Sequence, residues 1–139
     1  MSLVLDASLT LSWYFEDERT PATDAALDQV TENGAVVPSL WRLEVANGLQ
    51  VASRRRRLDT AFRDNALVQL NRMPITIDFD TDTYAWSTTL QLADRFQLTL
   101  YDAAYLELAQ RRHLPLATLD QPLRAAGRAL SIGLLGMPE

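Results

Sequence analysis

Leu100-Tyr101-Asp102-Ala103-Ala104-Tyr105-Leu106-Glu107-Leu108-Ala109, followed by Leu114-Pro115-Leu116-Ala117-Thr118-Leu119-Asp120, decides how this chain folds. The first run predicts a helix over 100–112 that is apolar almost all round, with Tyr101, Ala104, Tyr105 and Leu108 on one face at helical spacing. The second is a short apolar run that reads as a buried strand over 114–118. Asp102 opens the helix and Asp120 follows the strand. Asp6 holds the same place after Leu3-Val4-Leu5. Carboxylates at the ends of buried elements stand where such folds put chemistry rather than packing.

Working outward, further short apolar runs over 35–37, 75–77 and 130–135 join 3–5 and 114–118 as strands. Between them, helices are expected over 21–32, from an N-cap at Ser39 as far as the arginines, and over 60–72, 83–95 and 123–129. Strands alternating with helices predict an α/β fold in one domain over 1–139, about five short parallel strands covered by helices on both faces. Right-handed crossovers then gather the loops after each strand along one rim. Trp41 and Trp86 are assigned to the core or its edge, and packing is the first expectation for Trp13, Tyr14 and Phe15.

Composition narrows the chemistry. The chain has 139 residues, is 47% hydrophobic and carries a net charge of −5, so it is globular and has no general basic surface for nucleic acid. It has no cysteine and one histidine, so any metal site must be built from oxygen. All 13 positive charges are arginine, and the absence of lysine excludes a P-loop and Schiff-base catalysis. No leader is legible and no apolar run approaches the ~20 residues of a membrane span, so a soluble, cytoplasmic protein is expected.

Glu44 joins the three aspartates. It lies in Trp41-Arg42-Leu43-Glu44-Val45-Ala46-Asn47-Gly48-Leu49, early in a helix that starts just after a strand end. Taken singly, an aspartate opening a helix is ordinarily a cap and a glutamate on a long helix is ordinarily solvated. Four carboxylates on one rim repel one another and call for a cation, for which Mg²⁺ or Mn²⁺ is suited because both take oxygen ligands. Arg54-Arg55-Arg56-Arg57 is the candidate phosphate contact, against charge at a helix C-terminus on a solvated face. Asp78-Phe79-Asp80-Thr81-Asp82 is no calcium loop, because the sixth position is Thr83 rather than glycine, and is expected to cap the next helix. His113 is expected at the surface.

Val4-Leu5-Asp6-Ala7-Ser8, Glu44–Leu49, Tyr101–Ala109 and Ala117-Thr118-Leu119-Asp120 resemble, in order and spacing, the successive signatures of the PIN-domain family, and within it the VapC-type toxins of toxin–antitoxin pairs. The resemblance implies that Asp6, Glu44, Asp102 and Asp120 bind one or two Mg²⁺ or Mn²⁺ ions and hydrolyse RNA phosphodiesters with metal-activated water. It implies 3′-hydroxyl and 5′-phosphate ends, structured targets such as tRNA or ribosomal RNA, a VapB-type antitoxin and a homodimer. Ser8, Asn47 and Thr118 match polar positions beside the acids and are expected to orient them. The alternatives are another aspartate-based α/β phosphohydrolase, disfavoured by the missing lysine, and a non-catalytic PIN-like binding module, disfavoured because no acid is missing.

Overall fold

A computed structural model of the chain describes residues 1–138. In β1 (Leu3–Leu5) every residue is buried. Successive strand side chains point to opposite faces, so the sheet is covered on both sides at its centre. β2 (Ala35–Pro38), β3 (Ile75–Asp78), β4 (Leu116–Ala117) and β5 (Leu134–Leu135) complete a five-stranded sheet in the order β3-β2-β1-β4-β5. All four neighbouring pairs are parallel. The order reverses at β1, so the crevice beyond the carboxyl ends of β1 and β4 is the topological switch point of the sheet.

Helices fill the crossovers. α1 (Ala7–Ser12) leaves β1 directly, α2 (Pro21–Asn33) leads into β2, and α3 (Trp41–Arg54) and α4 (Thr60–Asn71) join β2 to β3. α2 starts with proline in its first turn under a Thr20–Thr23 capping box and stops at Gly34, whose φ of 80° suits glycine alone. The expected 83–95 helix is broken: α5 (Thr81–Tyr84), a π-helical turn (Ala85–Thr89) and α6 (Leu90–Phe96) follow one another. α7 (Leu100–Arg112) packs across β1, β2 and β4, and α8 (Gln121–Ala129) sits between β4 and β5. Seven consecutive α7 residues, Ala103 to Ala109, are buried, which is why the helix is apolar almost all round.

Several expectations change. Ser39 caps nothing; its N–H donates to the Thr81 hydroxyl, and Leu40 takes the N-cap position of α3 without a side-chain bond. β4 and β5 are shorter than the apolar runs that contain them, because Leu114 and Ile132 sit in turns bonded back to the ends of α7 and α8. Trp13 and Phe15 are core residues, and the Trp13 indole donates to the Thr23 carbonyl. Trp41 is buried, whereas Trp86 is 91% exposed because the π-helical turn carries it into solvent. Asp80 makes no capping bond, so the Asp78–Asp82 stretch is not a cap. Asp78 is buried instead, held with the equally buried Glu107 by Arg111 at 2.7 Å each. His113 takes a left-handed conformation that ends α7. Among the described residues no helix is long and apolar enough to cross a membrane.

Candidate active site

The four acids reach the carboxyl rim by different routes. Asp6 follows β1 and forms the N-cap position of α1. Asp120, three residues beyond β4, caps α8 through Oδ2, which accepts from the Leu123 N–H at 3.0 Å. Glu44 lies in the first turn of α3, and Asp102 in the first turn of α7 beneath the Thr99 cap.

Each carboxylate is oriented by neighbours. Asp6 Oδ2 accepts from the Ser8 and Thr118 hydroxyls, both at 2.6 Å. The fully buried Thr118 hydroxyl also accepts the Asp120 N–H, tying the two acids through one atom. Ser8 Oγ in turn accepts the Leu119 N–H at 3.2 Å. Thr118 is itself steadied by buried Arg124, which donates to the Thr118 and Leu135 carbonyls and so binds the ends of β4 and β5 together. Glu44 Oε1 accepts from the phenol of Tyr105, a fully buried residue. Tyr105 and Arg124 were not legible as site residues: Tyr105 reads as one member of an apolar stripe, and Arg124 as a charge on a surface helix. Asn47 is exposed, and among the described residues its side chain makes no hydrogen bond to the acids, so the expected orienting role finds no contact.

A pattern runs through these contacts. Asp6, Glu44 and Asp120 each commit one carboxylate oxygen to the protein, while the other accepts no hydrogen bond among the described residues. None of the four acids is ion-paired among the described residues, in contrast to Asp78 and Glu107 on Arg111. Burial raises the pKa of Asp6, the Ser8 and Thr118 hydroxyls oppose it, and the charges of Asp102 and Asp120 add repulsion. Burial likewise raises Glu44, opposed by Tyr105 and reinforced by Asp6 and Asp102. Asp102 is raised by burial and then by Asp120. The four acids thus form one electrostatic unit with no positive charge of its own.

Their donor set suits a hard divalent cation: four carboxylates, three of them presenting an uncommitted oxygen, with no sulfur or imidazole. Among the described residues no three acidic or histidine side chains already stand close enough to share one ion. Holding one requires the acid side chains to draw closer together. The four arginines separate. Arg54 ends α3, Arg55 follows it, Arg56 turns left-handed at φ 59°, and Arg57 bonds Asp17 and Glu18 while lying over the Phe15 ring.

Comparison with known proteins agrees with this architecture. A family model described as PIN domain matches residues 3–129. The ribonuclease VapC3 of Pyrobaculum aerophilum is 32% identical over 123 residues, covering 88% of this chain and 92% of that protein. The crystal structure of PAE2754 from Pyrobaculum aerophilum superposes with a TM-score of 0.69 at 23% identity, covering 96% of this chain and 83% of that one. VapBC2 of Rickettsia felis, solved bound to a DNA fragment from its promoter, gives a TM-score of 0.61 at 12% identity, covering 96% and 97%. At these identities the two structures speak for the fold alone.

Proposed function

Because this chain belongs to the PIN-domain family, with a VapC ribonuclease as a relative over most of its length, we propose that it is a divalent-metal-dependent endoribonuclease, the toxin of a toxin–antitoxin pair. The observation that carries the proposal is the set of four coupled, unpaired carboxylates at the switch point of the sheet. Asp6, Glu44, Asp102 and Asp120 hold one or two Mg²⁺ or Mn²⁺ ions. A divalent ion, when bound, supplies positive charge against the phosphate and acidifies an attacking water.

The rest of the work falls to the chain. Ser8 and Thr118 orient Asp6, Thr118 and the first turn of α8 orient Asp120, and Tyr105 orients Glu44, so that each of these acids offers a second, uncommitted oxygen to an arriving ion. The Ser8 and Thr118 hydroxyls on Asp6 and the Tyr105 phenol on Glu44 favour the charged carboxylates, against the burial that raises both. No lysine, cysteine or histidine is needed. Attack by water on phosphorus with breakage of the P–O3′ bond, the 3′ oxygen leaving and taking a proton, gives 3′-hydroxyl and 5′-phosphate ends.

The substrate is structured RNA, of the tRNA or ribosomal class. A VapB-type antitoxin covers the acidic rim and blocks cleavage, and two copies pair through exposed apolar side chains such as Leu43, Phe79, Trp86 and Tyr101. The decisive test is cleavage of labelled RNA by wild type, Asp6→Asn and Asp102→Asn, with and without EDTA. Cleavage confined to wild type with Mg²⁺ or Mn²⁺ is expected. Equal cleavage in excess EDTA refutes the metal role. Sequencing RNA ends after a short pulse of expression, against Asp102→Asn, identifies the target. Light scattering that finds only monomer across micromolar concentrations removes the dimer.

A further inference from the structure

A cleft of about 450 Å³ runs from the acids to the arginines. Ser8 and Asp120 line it, together with Gly48 and Val51 of α3 and Arg55. Glu44, Gly48, Val51 and Arg55 are spaced by four, three and four residues, so they fall on one stripe of α3 and its C-terminal cap. Eleven residues at 1.5 Å rise put Arg55 about 16 Å along the helix axis from Glu44. In the middle, Gly48 lets α1 approach closely: a Cβ there would lie 2.5 Å from a Leu11 methyl. The stripe therefore runs from the acids to one particular arginine along the seam where Leu11 of α1 packs onto Gly48.

The other three arginines are placed differently. Arg57 also touches the cleft, but it is held by Asp17 and Glu18 and stacked on Phe15. That pairing neutralises Glu18, the one acid besides Asp120 that lines the cleft. Arg56 lines a separate hollow with Ser53, Asp59 and Thr60. Arg54 does not line the cleft. Arg55 is exposed, and among the described residues its guanidinium makes neither an ion pair nor a hydrogen bond.

We propose that Arg55 grips an RNA phosphate several nucleotides from the bond being cut, in the cleft that Asp120 also lines; this rests on the ribonuclease function proposed above. At about 3.4 Å per nucleotide of a stacked strand, the ~16 Å along α3 from Glu44 to Arg55 corresponds to about five phosphates. Arginine is the side chain matched to such a contact, because its planar fork takes two phosphate oxygens at once. The same residue at a helix C-terminus also favours the helix dipole, and that structural role predicts a change in stability rather than in RNA binding.

The test uses a labelled RNA hairpin with single-stranded flanks, bound to Asp102→Asn protein so that it is not consumed, with affinity measured across a salt series. Adding Arg55→Ala is expected to weaken binding by about tenfold at low salt and to reduce the slope of log K against log salt by about one. Arg54→Ala and Arg56→Ala leave that slope unchanged. In the otherwise wild-type protein, Arg55→Ala raises KM for RNA at unchanged kcat. It leaves hydrolysis of bis(p-nitrophenyl) phosphate, too small to span the cleft, as it was. Binding by Arg55→Ala indistinguishable from that by Arg56→Ala overturns the assignment while the nuclease function stands. An Arg55-dependent slope with RNA that is never cut leaves the assignment standing and removes the nuclease. No RNA binding at any salt overturns both.

Discussion

Asp102→Asn is expected to abolish activity and yet stabilise the metal-free protein. Asp102 is half-buried in the first turn of α7, and its pKa is raised by burial and then by Asp120. It also pushes upward on the carboxyls of Asp6 and Glu44. A carboxyl whose folded pKa exceeds its unfolded value binds more protons in the folded state between the two values. Stability from that group is therefore present at low pH and falls as pH rises from about 4 through the raised value. As pH rises through that value the wild-type fold takes on this penalty, and asparagine removes both the desolvated charge and its repulsion. With solvent screening of a partly exposed site, the gain is about 1 kcal/mol, or an increase of about 4 °C in Tm for a chain of this size. Calorimetric melts in EDTA from pH 4.5 to 8 measure it. The two proteins should converge at the acid end and separate toward pH 8. Saturating Mn²⁺ should raise the wild-type Tm and leave the variant almost unmoved, since only wild type has all four of the proposed ligands. A variant less stable than wild type in EDTA at pH 7, or a difference that does not depend on pH, refutes the electrostatic unit.

Tyr105→Phe removes the phenol that holds Glu44 Oε1, and should lower divalent-ion affinity about tenfold and stability by about 1–3 kcal/mol; titration calorimetry and urea melts read the two, and unchanged affinity removes Tyr105 from the site. Thr118→Val keeps the shape of the side chain but deletes the atom shared by Asp6 and Asp120. It should cost about 1–3 kcal/mol and reduce kcat while the fold persists by circular dichroism; full activity contradicts the shared-hydroxyl role. Arg111→Met strands Asp78 and Glu107 in the interior and should destabilise by about 3–5 kcal/mol at pH 7. Urea melts measure it, and a variant as stable as wild type argues against the buried ion pairs.

Legibility followed how locally each feature is encoded. α7 was readable because Asp102 and the apolar run around it mark the element; the Thr99 cap and the left-handed turn at His113 that bound it appear only in the structure. The parallel sheet followed from short apolar runs separated by helical spacing, although Leu114–Thr118 and Leu130–Leu135 overstate strands that consist of two residues each. An apolar side chain packs equally well from a turn, so composition cannot mark where pairing stops. The acids were visible as positions after strands and in first helical turns. What lay beyond reach was pairing across the chain: Tyr105 on Glu44 spans 61 residues and Thr118 on Asp6 spans 112. Asp78 shows the same limit in reverse. In sequence it belongs to an acidic loop, and only the fold reveals Arg111 beside it. Trp86 fails for a different reason, since the π-helical turn shifts the helical phase and sends outward a side chain whose size argues for burial.

The measurement that bears most directly on the central claim is the anomalous difference density of a crystal soaked in Mn²⁺. The account predicts one or two peaks among the carboxylates of Asp6, Glu44, Asp102 and Asp120, with the acid side chains drawn closer together to meet them, and no peak in an Asp6→Asn crystal treated the same way. Mn²⁺ bound elsewhere, or absent from a rim whose four acids remain apart, contradicts it.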